Sequence, residues 1–261
     1  MAGSHFRGWI VLGCAFALVA CGVLPWPGLP GYRAKAAAGV WKDSSPTEAA
    51  ILADRIIRRR SDDLLFDVKR RGELIAEIEQ ILSQIRDAYP AMREIGVRET
   101  HQPRTLLIGL KLDLFEAVSR LANDQGGSAV PRTGHVEFDT LNASLGLQAV
   151  ELFPLLPSGP VIFHFGEHLN IDAAIRAYTA IEGVEYAEPD TFLGDGSDID
   201  AYESHGTWHV VARKAWGDCL SGCLYQELFF FTVEGGEVDQ IEGGQAMHMA
   251  AFAELVATRG W

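Results

Sequence analysis

Thr105-Leu106-Leu107-Ile108-Gly109-Leu110-Lys111-Leu112 is the stretch on which the reading of this chain turns. Leu106, Ile108, Leu110 and Leu112 alternate as a half-buried strand does, with Leu107 an extra apolar residue. Downstream, Asp113 to Ala122 reads as a short helix, and Gln125 to Gly134 is a loop with three Gly and one Pro. Val136 to Leu145 reads as helical, with Phe138, Leu141 and Leu145 on one face and Gly146 ending it. Gln148 to Phe153 is a strand, Pro154 to Pro160 a turn and Val161 to Phe165 another strand. Asn170 then caps a helix containing Ile171, Ala174, Ile175, Tyr178 and Ile181. Gly183 closes that helix, and Val184 to Ala187 forms a last strand.

The order is strand, helix, strand, strand, helix, strand. It predicts a ferredoxin-like split βαβ domain over residues 101–193, with two helices on one face of a four-stranded antiparallel sheet. Upstream, residues 45–100 form a helical region. Ser45-Pro46-Thr47-Glu48 is a helix start, and that helix runs to about Arg60. A second runs from about Gly72 to Ala88, with Leu74, Ile78, Ile81, Leu82 and Ile85 on one face, and Tyr89-Pro90 stops it. The basic clusters Arg58-Arg59-Arg60 and Lys69-Arg70-Arg71 read as a solvated helix face. Downstream, residues 194–261 form a β-rich extension. Asp198 to Glu203, Thr207 to Ala215, Leu224 to Val233 and Glu237 to Ile241 make an antiparallel meander, with Gly235-Gly236 at a tight hairpin. Gln245 to Ala257 is a terminal helix. The fold class is therefore α+β.

The first residues carry an address. An apolar run from Trp9 to Ala20 follows a short segment holding Arg7, the layout of a secretory signal over residues 1–20. The run is about twelve residues, short of the roughly 20 a spanning helix needs. Leu18-Val19-Ala20-Cys21-Gly22 resembles a bacterial lipobox, which implies acylation of Cys21 and anchoring in the cell envelope. Gly22 after that cysteine resembles outer-membrane sorting, so the mature chain faces the periplasm. Residues 21–44, rich in Pro, Gly and Ala, read as a tether.

Composition narrows the partners. The 261-residue chain has a formal charge of −13, which disfavours binding to phosphate backbones and nucleic acid. Of four cysteines, Cys14 leaves with the signal and Cys21 is acylated, so Cys219 and Cys223 remain in an oxidising compartment. A disulfide between them pins a turn. Trp216-Gly217-Asp218-Cys219-Leu220-Ser221-Gly222-Cys223 is also similar to a Gly-Asp-Cys-x-x-Gly-Cys segment of bacterial envelope proteins.

Gly183-Val184-Glu185-Tyr186-Ala187-Glu188-Pro189-Asp190 resembles the last strand and exit of subtilase propeptides, the inhibitor-type prodomains of subtilisin-like proteases. The resemblance implies a ferredoxin-like fold whose sheet packs on a protease. It implies partner-binding residues at the matching tail, Asp190, Thr191 and Phe192. Three features depart from the family: an interruption from Leu155 to Pro160, a long insertion from Gln125 to Gly134, and about 70 residues after Asp190, too few for a subtilase catalytic domain.

Four histidines offer another chemistry. His164-Phe165-Gly166-Glu167-His168 fits H-x-x-E-H, which needs both imidazoles on one helical face. On a strand, His164 and His168 stand about 13 Å apart, beyond joint coordination. His205 and His209 with Cys219 and Cys223 have spacings a zinc site tolerates. Ser204-His205-Gly206-Thr207 resembles the subtilase His motif, but no Gly-Thr-Ser nucleophile accompanies it. Gly194 to Asp200 lacks the spacing of a calcium loop. Trp208, Trp216, Tyr225 and Phe229 to Phe231 read as core. The expectation is a non-enzymatic, lipid-anchored, protein-binding envelope protein without cofactor, its partners a membrane and a protease or other envelope protein. The alternative is a zinc-dependent hydrolase or metal-binding protein using His164 and His168 or His205 and His209.

Overall fold

The computed structural model describes residues 46–124, 132–152 and 159–261, all within one compact unit. The signal, Cys21, the tether, the Ser45 cap and most of the two loops at 125–134 and 154–160 lie outside the described residues. The elements are α1 (Glu48–Arg60), α2 (Val68–Ala88), a 3-10 turn (Pro90–Glu94), β1 (His101–Leu110), α3 (Leu112–Asp124), α4 (Val136–Ser144), β2 (Leu147–Leu152), β3 (Val161–Phe165), α5 (Ile171–Thr179), β4 (Val184–Thr191), β5 (Asp198–Ser204), β6 (Thr207–Trp216), β7 (Tyr225–Glu234), β8 (Glu237–Ile241), α6 (Gly243–Ala246) and α7 (Ala250–Arg259). The chain is a mixed helix-and-sheet protein with two antiparallel four-stranded sheets, ordered β2-β3-β1-β4 and β5-β6-β7-β8.

Local chemistry sets the helix starts. Thr47 Oγ1 accepts from the Ala50 amide at 3.2 Å and caps α1. Asp67 does the same for α2, accepting from the Arg70 amide at 2.7 Å, so α2 begins at Val68 and takes in Gly72. The apolar faces then pack as their spacing demands: Leu52, Ala53 and Ile56 of α1 and Ile78, Ile81 and Ile85 of α2 are buried on the second sheet.

The first sheet is built on Leu106, Ile108, Phe163 and Phe165. These alternate positions point to one face, where they meet Leu114 and Val118 of α3, Phe138 of α4, and Ile171, Ala174 and Tyr178 of α5. Phe138, Phe163 and Tyr178 meet edge-on, with centroids 5.8 to 6.1 Å apart. Tyr178 donates its hydroxyl to Asn142 at 2.6 Å, which makes the buried phenol tolerable.

Two strand limits differ from the sequence reading. β1 starts at His101 and β4 runs on to Thr191, because His101 pairs with Thr191 beyond an irregularity. Pro189 survives inside β4 because β4 is an edge strand, where one side needs no amide donor. The terminal helix is two pieces, α6 and α7, separated at Met247–Met249 and closed by Gly260 at φ 67°.

The second sheet is covered on both faces. Trp208, Val210, Phe231 and Val233 meet α1 and α2. Val211 and Phe230 meet Ala246, Phe252 and Leu255 of α6 and α7. Its β5 edge is closed as well. Arg55, Arg59 and Arg60 donate to the carbonyls of Ile199, Ala201 and Glu203 at 2.9, 2.5 and 2.6 Å. The basic run on α1 is thus a comb laid along β5, which corrects its reading as a solvated face. Asp198 and Asp200, inward on β5, complete it. Asp200 takes both Arg59 donors at 2.8 and 3.0 Å, and Asp198 pairs with Arg55 at 3.1 Å and with Arg259. A sheet edge lined with satisfied charge offers nothing to a foreign strand.

Candidate functional site

The face of the first sheet opposite its helices carries the alternate residues. The pairing Leu107 to Ile162 on one side and Leu107 to Glu188 on the other puts these three in one row, with Glu151 beyond Ile162. Leu107 and Ile162 are half-buried, and Glu151 and Glu188 are exposed. Tyr186 lies across Gly109: a Cβ there would fall 2.1 Å from the ring, so only glycine lets the ring lie down. The result is an apolar strip with a carboxylate at each end. Asp190 and Thr191 end β4 beside it, and the Phe192 amide extends the pairing by donating to Thr100 at 3.0 Å. These three residues are therefore anchored, and they lead straight into the second sheet. Phe192 remains 40% exposed and Leu193 90%.

Leu193 opens a second feature. Cys219 and Cys223 have their sulfurs at bonding distance, 2.12 Å, in the loop that joins β6 to β7. Trp216 and Tyr225, the last pair of that hairpin, stack with centroids 5.9 Å apart and planes at 24°. The 3-10 turn ends at Glu94, which pairs with Lys214 at 3.1 Å, so the sheet outruns its helical cover there. Trp216 and Tyr225 are consequently exposed, which corrects their reading as core; Trp208 and Phe231 are core. Leu220 and Leu224, in the same loop, are exposed as well.

This corner is firmly built. Arg213 forks onto both Asp195 oxygens at 2.7 Å. The Asp195 amide donates to the Cys219 carbonyl at 2.6 Å. Gly194, at φ 87°, lies against that carbonyl where a Cβ would come within 3.1 Å. Arg98 donates to the carbonyls of Leu193 and Gly194 at 3.3 and 2.6 Å. The Arg213 hydrogen bond holds the Asp195 carboxyl well below the usual carboxylate range.

Between α1 and β1 lies a polar seam. Asp54 accepts from Arg71 at 2.6 and 3.1 Å and faces His168 Nδ1 at 3.2 Å. Burial works against its charge, but the bonds from His168 and Arg71 win and keep its pKa lowered. Glu99, by contrast, is raised by burial. Arg58 reaches His101 Nε2 at 2.6 Å. A guanidinium can only donate, so His101 carries its proton on Nδ1, facing Thr100 Oγ1 at 3.1 Å. Burial, with Arg58 and Arg55 close by, pushes the His101 pKa down to about 3. Such an imidazole is neutral throughout the ordinary range and is unsuited to proton transfer near pH 7. The crevice here holds about 20 Å³, room for little more than a water.

The other histidines are dispersed. His164 on β3 stands 3.4 Å from Glu151, whereas His168, past the strand end, faces Asp54 of α1. His205 occupies the two-residue β5–β6 turn at φ 54°, followed by Gly206 at φ 83°. His209 packs its ring on Phe252 at 5.2 Å, and burial lowers its pKa. Among the described residues, no three His, Cys, Asp or Glu side chains converge to hold a metal. Asp195, Asp198 and Asp200, in the acidic stretch after Gly194, are instead ligands for arginine. Cys21 lies outside the described residues.

The sequence reading missed the Arg213–Asp195 fork and the His101 seam. The alternation of β6 did put Trp216 on the face of Trp208; what it lacked was the length of the helices covering that face.

No family model matches the chain, and neither the curated proteins nor the solved structures contain a significant match. Among the described residues no helix is long and apolar enough to cross a membrane.

Proposed function

We propose that this is a non-enzymatic envelope protein, anchored through acylated Cys21, which binds another protein on the face of its first sheet opposite α3, α4 and α5. The β2-β3-β1-β4 order with helices on one face supports a ferredoxin-like split βαβ arrangement. The likeness of residues 183–190 to a subtilase propeptide supports a subtilisin-like serine protease as partner. One observation carries the reading: Leu107, Ile162 and Tyr186 form an apolar strip between Glu151 and Glu188 on a face to which α3, α4 and α5 contribute nothing. Asp190, Thr191 and Phe192 border that strip, which supports the partner-binding role that the resemblance implies for them.

The test is inhibition of a subtilisin-type protease by the full chain at high molar excess. Slowed hydrolysis, lost on Leu107→Arg and kept on Arg60→Ala, is the expected result. Undiminished protease activity overturns the inhibitory reading. Stoichiometric zinc together with two titratable thiols at Cys219 and Cys223 overturns the non-enzymatic one.

A further inference from the structure

Six of the twelve exposed large apolar side chains among the described residues belong to two short segments: Phe192 and Leu193, and Trp216, Leu220, Leu224 and Tyr225. The bond from the Asp195 amide to the Cys219 carbonyl ties the two segments together, and Arg98 holds the first of them in place. So large an apolar cluster at one corner of a soluble domain marks a contact surface. We propose that this corner rests on a lipid bilayer surface, the one in which the acyl chains of Cys21 are seated; in that respect the inference relies on the anchor described above.

The shape and chemistry of the corner choose this occupant. Leu193, Leu220 and Leu224 are 90, 77 and 68% exposed. Side chains so far out of the surface do not line a groove for a peptide; they project from it. A fluid headgroup layer takes such projections without a matching shape. Trp and Tyr, with an apolar ring body and a polar N–H or O–H, favour the interfacial zone, and Leu and Phe the acyl boundary below. The disulfide, the Arg213 fork and the Gly194 contact fix the corner before it meets the membrane, so little order is lost on contact.

The chain enters at the same end. Glu48, at the start of α1, accepts from the Val97 amide at 2.9 Å, and the next residue, Arg98, holds Leu193 and Gly194. Residues 22–45 separate Cys21 from Pro46, and 24 residues reach at most about 80 Å. An acyl chain and this corner can therefore engage one membrane together.

Charge sets the lipid preference. Arg213 is committed to Asp195, Lys214 to Glu94, and Arg98 to backbone carbonyls, while Asp218 lies in the loop itself. The corner therefore attracts a zwitterionic surface by apolar insertion and is weakened by anionic lipid.

The test uses the full chain on phosphatidylcholine vesicles, with brominated acyl chains as the quencher. The contribution of Trp216 is the difference between the native chain and Trp216→Phe. The expected result is at least twofold quenching of that contribution, reduced when phosphatidylglycerol is added and abolished in Leu220→Ser/Leu224→Ser. Leu220→Gln alone, at a residue 77% exposed, gives the same direction without risk to the fold. An unquenched Trp216 on vesicle-bound protein overturns the proposal. So does native protein that self-associates in solution while the double variant does not, because a second copy then covers the corner. Intact mass of native protein reports acylation separately: quenching without an acyl group leaves the corner standing and removes the anchor.

Discussion

The two sheets differ in how completely they are enclosed. The second has α1 and α2 on one face, α6 and α7 on the other, and arginines along the outer edge of β5. Among the described residues the first has helices on one face alone, and its other face carries Leu107, Ile162 and Tyr186. Their interiors differ too. The first is filled with aromatic rings, while the second closes its border with buried charge: Arg55, Asp198 and Asp200 are 4, 2 and 0% exposed. The contrast separates scaffold from surface. Where both faces and the β5 edge are covered the second sheet serves as scaffold, whereas an uncovered face or corner is where a partner can act.

The largest expected effect tests whether the two interiors are equally important. Phe163→Ala leaves a cavity among Phe138, Phe165 and Tyr178 and costs about 3–5 kcal/mol. Asp198→Ala strands Arg55 and Arg259 and costs a similar ~3–5 kcal/mol. Conservative replacement splits the pair. Phe163→Leu recovers most of the loss, but Asp198→Asn does not, since the missing quantity there is charge. Denaturant unfolding of the four variants measures this, and equal recovery would erase the distinction.

A smaller effect appears in acid. His101 falls from an ordinary pKa of 6.5 to about 3 in the folded chain. The unfolded chain therefore binds the extra proton between those values, and stability falls as pH drops through that window. The full difference is on the order of 5 kcal/mol, of which roughly 2 kcal/mol falls between about pH 6.5 and 5. Asp54 and Asp195 are lowered, so their contributions are present above the ordinary carboxyl range and fade below about pH 4. His101 and His209, whose pKa burial also lowers, both contribute to the slope between about pH 6.5 and 5, and His101→Gln removes the larger part of it. An unchanged slope would place the acid sensitivity elsewhere.

The smallest effect is at the rim of the comb. Arg60 meets Glu203 with both side chains about one-third exposed, and Arg60→Ala costs at most about 0.5 kcal/mol in thermal unfolding. A cost like that of Asp198→Ala would show that the border acts as one network.

Much of this architecture was legible in the residues. Leu106, Ile108 and Leu110 and the faces of α2 and α5 follow from period alone. The hairpin at Gly235-Gly236 follows from its glycines, where positive φ demands such residues, whereas the turn at His205-Gly206 was not read as one. What period cannot show is pairing at a distance. Arg55 and Asp198 are 143 residues apart, and neither residue's neighbours announce the other. β4 continues through Pro189 only because it lies at an edge, a fact of strand order rather than of local spelling. Trp216 and Tyr225 carry the core's alternation past the point where core ends. Of the candidate site, the Cys219–Cys223 turn was visible, but the exposed corner around it was not.

The comb also imposes an order of assembly. Its teeth and their carbonyls are 142 to 144 residues apart, so synthesis delivers α1 long before the strand it must guard. Until β5 emerges, those guanidiniums have nothing to hold, and until α1 docks, β5 is a raw border able to recruit strands from other molecules. Clipping the chain behind residue 60 would therefore strip the β5 border of its guard along with one apolar layer, and leave that border able to recruit strands from other copies.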